Sequence, residues 1–255
     1  MGEGRTGNCP RYNTALFPDW MNALSSLRRI NADQDRGRRQ CILMFSGGRD
    51  STLAAVRLVK DGFDPILITI TSGHLFGLQA VHRRHVELKA ILPSTTRWMV
   101  VRQPTELRTD TSFYERTCLP CHHAYVVVAA AAAMAFGAEH LSFGYAGYQN
   151  DWPEQTPFAV ERLAAVLADR GVALVLPVYD LPSRDAAEAE LARWGLSSVS
   201  LEQKCIRQIS NVTLPEHALR AQIQLWEDAI RESTASLHLI DSAIEATGTL
   251  GEVST

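Results

Sequence analysis

Residues 41–52 confine the fold more than any other stretch. An apolar run over 41–45 breaks at Ser46-Gly47-Gly48-Arg49-Asp50-Ser51 and resumes at once as the helical spacing of 52–60. A strand that ends in two adjacent glycines and restarts as a helix brings backbone N–H groups and the positive end of the helix dipole to one point. The Ser46 and Ser51 hydroxyls add donors there. Such a turn suits an anion of phosphate or pyrophosphate size. It is not a Walker A loop, which needs a longer glycine spacing and a Lys.

The rest of the chain repeats this unit. Residues 65–71 predict a buried, β-branched strand, 76–92 a helix, 97–102 a third strand, 125–136 an Ala/Val-rich helix stopping at Gly137, 140–145 a fourth strand, 157–169 a helix and 172–176 a fifth strand. Strand and helix alternating in this way predict an α/β, doubly wound, mostly parallel five-stranded sheet. Ligands of such sheets bind beyond the carboxyl ends of the strands, so 46–51, 72–74 and 144–151 should share one crevice. Before the sheet, 1–39 reads as a tail followed by an amphipathic helix near Pro18, with Phe17, Met21, Leu24, Leu27 and Ile30 at steps of three and four. The nucleotide domain spans 40–210, and 211–255 reads as a C-terminal helical extension, helical over 215–246 and frayed from 247. Trp226 on that helix reads as packing.

Composition excludes several classes. With 255 residues, 46% hydrophobic and 21% charged, the chain is long enough for a continuous core and has no disordered or coiled-coil signature. The apolar run 126–136 is far shorter than a membrane span, and the first ten residues lack the apolar segment of a signal peptide. The expectation is a cytoplasmic protein without membrane contact. A net charge of -3 argues against a surface built to grip a nucleic-acid backbone. Two basic clusters, Arg28, Arg29, Arg36, Arg38 and Arg39, then His82, Arg83, Arg84 and His85, read as solvated faces.

Five cysteines in a reducing compartment have to be read as packing, catalysis or metal. Cys41 falls in the core strand and Cys9 in the tail. Cys118 and Cys121 have the spacing that lets two thiolates share one metal centre, just before a helix start, and Cys205 is the third candidate. Soft thiolates suit a metal centre; structural zinc would need a fourth ligand, which His122 or His123 could supply, although both read equally as helix-start residues or substrate contacts.

The loop 46–51 resembles the signature of the PP-loop ATP pyrophosphatases, which adenylate a substrate and release pyrophosphate. With Cys118, Cys121 and Cys205 behind it, the chain is similar over about 40–210 to the iron-sulfur tRNA thiolases typified by the two-thiocytidine synthases. The segment 151–158 instead resembles the small-molecule branch typified by the 7-cyano-7-deazaguanine synthases. The resemblance implies an adenine nucleotide alpha hydrolase-like fold, ATP and Mg2+ as ligands, and a 4Fe-4S cluster on the three cysteines. It implies pyrophosphate contacts from Ser46, Gly47, Gly48, Arg49 and Ser51, with Ser72 and Gly144 nearby. Asp50 either caps the helix or orients metal and phosphate, and Asp151 and Glu154 are candidates for Mg2+ or substrate amide groups. The activity implied is an ATP-dependent sulfurtransferase that replaces a carbonyl oxygen of a nucleobase-like substrate. A free purine or nucleotide such as guanine, giving 6-thioguanine, is favoured over tRNA. A sulfide donor such as a cysteine desulfurase would be the partner, and a homodimer through the long C-terminal helix stays open. The alternative is an amide- or nitrile-forming ligase with a zinc site.

Overall fold

The computed structural model of the chain describes residues 18–30, 39–107, 117–206 and 213–254, with side chains from 39 onward in these segments and over 18–27. Outside the described residues lie 1–17 with Cys9 and Phe17, the side chains of Arg28, Arg29 and Ile30, 31–38 with Arg36 and Arg38, 108–116, 207–212 and 255.

The core strand β1 (Arg39–Met44) pairs in parallel with β2 (Phe63–Thr71) on one side and β5 (His140–Phe143) on the other. Beyond β2 lies β4 (Arg97–Arg102), and beyond β5 lies β6 (Ala173–Val175), both parallel. These are the five strands expected, and the order changes direction between β1 and β5. That switch point opens a crevice at the strand ends, where Phe45 and Gly144 sit.

The sheet has a sixth strand that the sequence reading missed. β8 (Ile244–Thr249) pairs antiparallel with β4, with a register shift at Val100/Val101, so the sheet order is β6-β5-β1-β2-β4-β8. The C-terminal helix correspondingly stops early: α7 (Glu216–Ala235) ends at Ser236 instead of running to 246. The residues expected to be frayed are held. Thr249 and Glu252 form a capping box, Leu250 N–H donates to Thr96 O at 2.9 Å, and Gly251 N–H donates to Ser94 O at 2.8 Å. Leu250 and Val253 are buried, and that burial anchors this end.

Side chains alternate across β1, as the strand period requires. Ile42 and Met44 face a layer built from α1 (Asp19–Ile30), α4 (Leu119–Phe136), α5 (Pro157–Ala168) and α7. Cys41, Leu43 and Phe45 face α2 (Arg49–Lys60), α3 (Leu78–Leu88) and α6 (Arg184–Arg193). Burial on both faces explains why these parallel strands read as near-continuous apolar runs. Cys41 is a core residue, its thiol pushed up to about 12 by burial.

Helix α4 starts six residues earlier than its Ala/Val run suggested and reaches 18 residues, with a mean hydropathy of 1.5. By length and composition it could cross a membrane, but 72% of it is buried among the other elements of the fold. Trp226 is fully buried, so α7 spends its apolar face, with Ile223 and Ile230, inside the chain.

The basic cluster over 82–85 is not one solvated face. His82 and Arg83 are exposed, whereas Arg84 and His85 turn inward on α3. His85 stacks on Phe45 at 5.2 Å between ring centroids and lies 5.2 Å from the Trp98 ring, with its Nε2 unpartnered among the described residues. Burial, with a smaller contribution from His82, lowers its pKa to about 4. A histidine kept neutral in the fold contributes stability that is complete above its unfolded value near 6.5 and is lost as the pH falls toward 4. Urea unfolding between pH 7 and 4 should therefore show an acid loss of about 3 kcal/mol from this site. His85→Leu should flatten that limb; an unchanged pH slope would count against this assignment.

Candidate active site

The crevice at the switch point is a cavity of about 410 Å³. Its floor is the carboxyl ends of β1, β2 and β5, through Met44, Ile68 and Phe143. The turn carrying Ser46, Gly48, Asp50 and Ser51 lines it, as do Gln149, Trp152 and Gln155 from the loop over 144–155 and Ser200, Glu202 and Gln203 from the segment leading to Cys205. The volume lies within the usual range of small-molecule sites.

The turn is glycine-rich and leads straight into a helix. Gly47 takes φ +78, where other residues are strained, and Gly48 opens α2 with no side-chain cap on its N-terminus. Gly48 N–H donates to Ser46 Oγ at 3.2 Å, and Ser46 Oγ and Ser51 Oγ lie 3.1 Å apart. Thr52 Oγ donates to Gly48 O at 2.6 Å and steadies the first turn. The hydroxyls of Ser46 and Ser51 and the N-terminus of α2 lie together, an arrangement that fits a pyrophosphate. Arg49 points sideways to Glu188 at 3.6 Å, and its Nε has no partner among the described residues.

Asp50 is not the helix cap. Its carboxylate accepts from Tyr148 OH at 2.7 Å and from Gln149 Nε2 at 2.7 Å. Burial raises its pKa, opposed by Tyr148, Arg49 and Gln149. Gly144 is present for close approach: a Cβ there would stand 2.5 Å from Ser51 N and 2.7 Å from Ser51 Cα.

Cys118 is the N-cap residue of α4 and Cys121 lies in its first turn, so the pair opens a helix instead of preceding one. Cys205 arrives by a separate route. The two-residue strands β3 (Leu75–Phe76) and β7 (Lys204–Cys205) pair antiparallel with Leu75 opposite Cys205, and Ile206 N–H donates to His74 O at 2.9 Å. His74 Nε2 lies 3.3 Å from Cys121 Sγ, and its Nδ1 contacts Ser72 Oγ. Burial raises the Cys118 pKa, and Glu154, Cys121 and Cys205 all add to the rise. Through His74, which touches Cys121 and whose carbonyl accepts from the residue after Cys205, the third cysteine is brought to the neighbourhood of the α4 start, alongside Tyr125, whose pKa is raised by burial and then by the same three thiols and Glu154.

The thiols themselves do not line the cavity. Its wall on that side includes Leu75, the partner of Cys205, with His122 and Tyr125 from the helix of Cys118 and Cys121. No three His, Cys, Asp or Glu side chains among the described residues stand at single-ion spacing. The donor set of three soft thiols fits an iron-sulfur cluster. Ser72 is turned toward His74, and exposed Asp151 lies off the cavity lining, so neither faces the crevice as expected. Because Cys118 is held protonated, its alkylation in the metal-free protein at pH 8 should be more than about tenfold slower than that of a free thiol. Mass spectrometry showing a rate equal to the free thiol would contradict the buried placement.

Arg84, Glu202 and Gln203 were not among the expected site residues, whereas His122 and Glu154 were candidates. Arg84, fully buried, donates to Val199 O at 2.6 Å, Ser197 O at 2.9 Å and Gly47 O at 3.4 Å. It ties the phosphate turn to the segment that leads to Cys205. On that segment Glu202 lies over Gly48, whose added Cβ would meet Glu202 Oε2 at 2.9 Å, and Gln203 Nε2 donates to Ile70 O at 2.8 Å. His122 bridges Tyr145 OH at 2.7 Å and Glu154 at 3.3 Å, and burial lowers its pKa. Glu154 is buried and its Oε2 has no partner among the described residues.

No family model matches the chain, and no curated protein matches it in sequence. Among solved structures it is similar to the U34-tRNA thiolase NcsA from Methanococcus maripaludis with its 4Fe-4S cluster, at 14% identity and TM-score 0.48, covering 86% of this chain and 78% of that one. It is similar also to a 4-thiouridine synthetase in an RNA complex with bound ATP, at 16% identity and TM-score 0.46, covering 81% of this chain and 55% of the other. A third similarity is to a predicted subunit of tRNA methyltransferase from Methanocaldococcus jannaschii, at 16% identity and TM-score 0.40 over 63% of this chain and 91% of that one.

Proposed function

We propose that the chain is an ATP-dependent sulfurtransferase of the PP-loop type that acts on a nucleobase-like carbonyl, with a free purine or nucleotide favoured. What supports this reading is that His74 links Cys121 to the strand of Cys205, next to the helix start that carries Cys118 and beside the cavity lined by the turn over 46–51. Ser46, Gly48 and the start of α2 would bind the pyrophosphate portion of ATP. The cavity's 410 Å³ would admit a nucleotide, and its polar wall at Gln149, Trp152 and Gln155 is the side left for the second substrate.

The substrate oxygen attacks the α-phosphorus, an O–P bond forms, and the bond to pyrophosphate breaks. Sulfide then adds to the activated carbon and AMP leaves with the original oxygen, so no change of oxidation state is required. A 4Fe-4S cluster on the three thiolates would supply an iron without a protein ligand as the place for that sulfide. The chain's own residues would bind, orient and exclude water: the apolar side chains of Met44, Ile68 and Phe143 line the cavity and offer water no partner there.

Anaerobic purification with assays of iron, acid-labile sulfide and zinc tests the metal. Incubation with ATP, sulfide and either guanine, a guanine nucleotide or tRNA, read by mass spectrometry, tests the substrate. Iron and sulfide with a mass gain of about 16 on a free base or nucleotide supports the reading, as expected when sulfur replaces oxygen. Thiolated tRNA alone would move the substrate to tRNA, and stoichiometric zinc without sulfide would favour the ligase alternative.

A further inference from the structure

The loop over 144–155 carries a hydrogen-bond chain whose direction is fixed from one end. Ala146 N–H, fully buried, donates to Gln155 Oε1 at 3.0 Å. A backbone N–H can only donate, so that end of Gln155 must be oxygen and its other end the amide nitrogen. Gln155 Nε2 then donates to Gln149 Oε1 at 3.0 Å, which leaves Gln149 Nε2 to donate onward to Asp50 Oδ2 at 2.7 Å. Gln149 Nε2 also lies 3.2 Å from Tyr148 OH, and that hydroxyl donates to Asp50 Oδ1 at 2.7 Å. Reading along the chain, one backbone N–H dictates that the atom presented by Asp50 is an acceptor.

The relay is rigidly held. Gln155 is only 7% exposed, Tyr179 OH donates to its carbonyl at 2.9 Å, and Gly147 N–H donates to Tyr179 O at 3.1 Å. Asp50, Gln149 and Gln155 all line the cavity, the first from the turn over 46–51 and the other two from the loop over 144–155 that touches it.

We propose that Gln149 and Gln155 are positioning residues that hold the Asp50 carboxylate with its acceptor atoms in register and couple the loop over 144–155 to the phosphate turn. The proposal rests on the reading of 46–51 as an ATP site. Two of the carboxylate's lone-pair directions are taken by Tyr148 and Gln149, and the others are left toward the cavity, so Asp50 meets an incoming nucleotide in one orientation. Displacing the loop reorients Asp50 without any contact between the loop and the phosphates.

Reversing the polarity of the relay tests it. In Gln155→Glu the new carboxylate still accepts from Ala146 N–H but forces Gln149 to flip, turning Gln149 Oε1 against Asp50 Oδ2. The expected result is a lower melting temperature and about tenfold weaker binding of ATP by calorimetry. Adding Asp50→Asn supplies a donor to the flipped Gln149, and Tyr148 OH still has an oxygen to donate to. The Asp50→Asn/Gln155→Glu double variant should therefore recover most of the lost melting temperature, which a merely packing role for Gln155 would not produce. Gln155→Met, which keeps volume and removes polarity, should also weaken ATP binding and should not be rescued by Asp50→Asn. A double variant whose losses simply add, or a Gln155→Glu protein indistinguishable from the parent, overturns the relay. If the rescue appears while the unsubstituted protein itself fails to bind ATP, the relay stands and the ATP reading falls.

Discussion

Replacing Gly144 with alanine is expected to abolish pyrophosphate release while the chain remains folded. The added Cβ would lie 2.5 Å from Ser51 N, 2.7 Å from Ser51 Cα and 2.9 Å from Asp50 C, all backbone atoms that no rotamer change can move. Either the end of β5 or the first turn of α2 has to shift, at about 1–3 kcal/mol for overpacking of this kind. A shift approaching 1 Å in groups that orient a reacting phosphate costs about a hundredfold or more in rate. Gly62→Ala is the control. Gly62 has φ +82 but nothing within 4 Å of its Cβ, and it lies at the far end of α2. That variant should lose about 1–2 kcal/mol of stability from left-handed strain and keep its turnover. Equal turnover in the two variants would remove the turn over 46–51 from the active site. The Gly47 position makes the same argument from the other side, since its Cβ would meet Leu201 O at 2.7 Å on the segment leading to Cys205.

What the sequence could show about this molecule followed from how locally each feature is encoded. The phosphate turn was legible because strand period, glycine pair and helix period succeed one another within a dozen residues, and the structure keeps that order. The five parallel strands were legible because burial on both faces leaves continuous apolar runs. β8 was hidden for the opposite reason: it is an edge strand whose Glu245, Ala246 and Thr247 are exposed, and Ile244 happens to continue the spacing of Ile230, Leu237 and Ile240. Arg84 was misread because its neighbours in sequence are exposed and its partners, Ser197 and Val199, lie more than a hundred positions away. Gln149 and Gln155 gave no signal, since neither amide has a chemical signature until Asp50 and Ala146 are brought against them. Cys205 was legible as a residue type, but its placement depends on a strand of two residues that no periodicity can announce.

Each of Cys118→Ser, Cys121→Ser and Cys205→Ser is expected to leave the purified protein almost free of iron and acid-labile sulfide, with sulfur transfer reduced by more than about a hundredfold. A serine oxygen is harder and far less acidic than a thiol, so it makes a poor substitute as a soft ligand. Loss of fold is not the expected cause. Cys118 is an N-cap without a side-chain cap bond, and serine is among the favoured N-cap residues, so Cys118→Ser should hold or slightly raise the melting temperature. Cys205 is half-buried on a strand that pairs through its backbone, which the substitution leaves intact. ATP binding should persist in all three variants, because the thiols lie outside the lining of the cavity that holds the phosphate turn. Cys205→Ser is the decisive member of the set. Cys118 and Cys121 share one helix start and would stay together in any arrangement, whereas Cys205 reaches them only through the pairing of β7 with β3 and through the segment that Arg84 holds. A Cys205→Ser protein that retained full iron and sulfide would separate Cys205 from the metal centre and leave the thiolation reading without its third ligand.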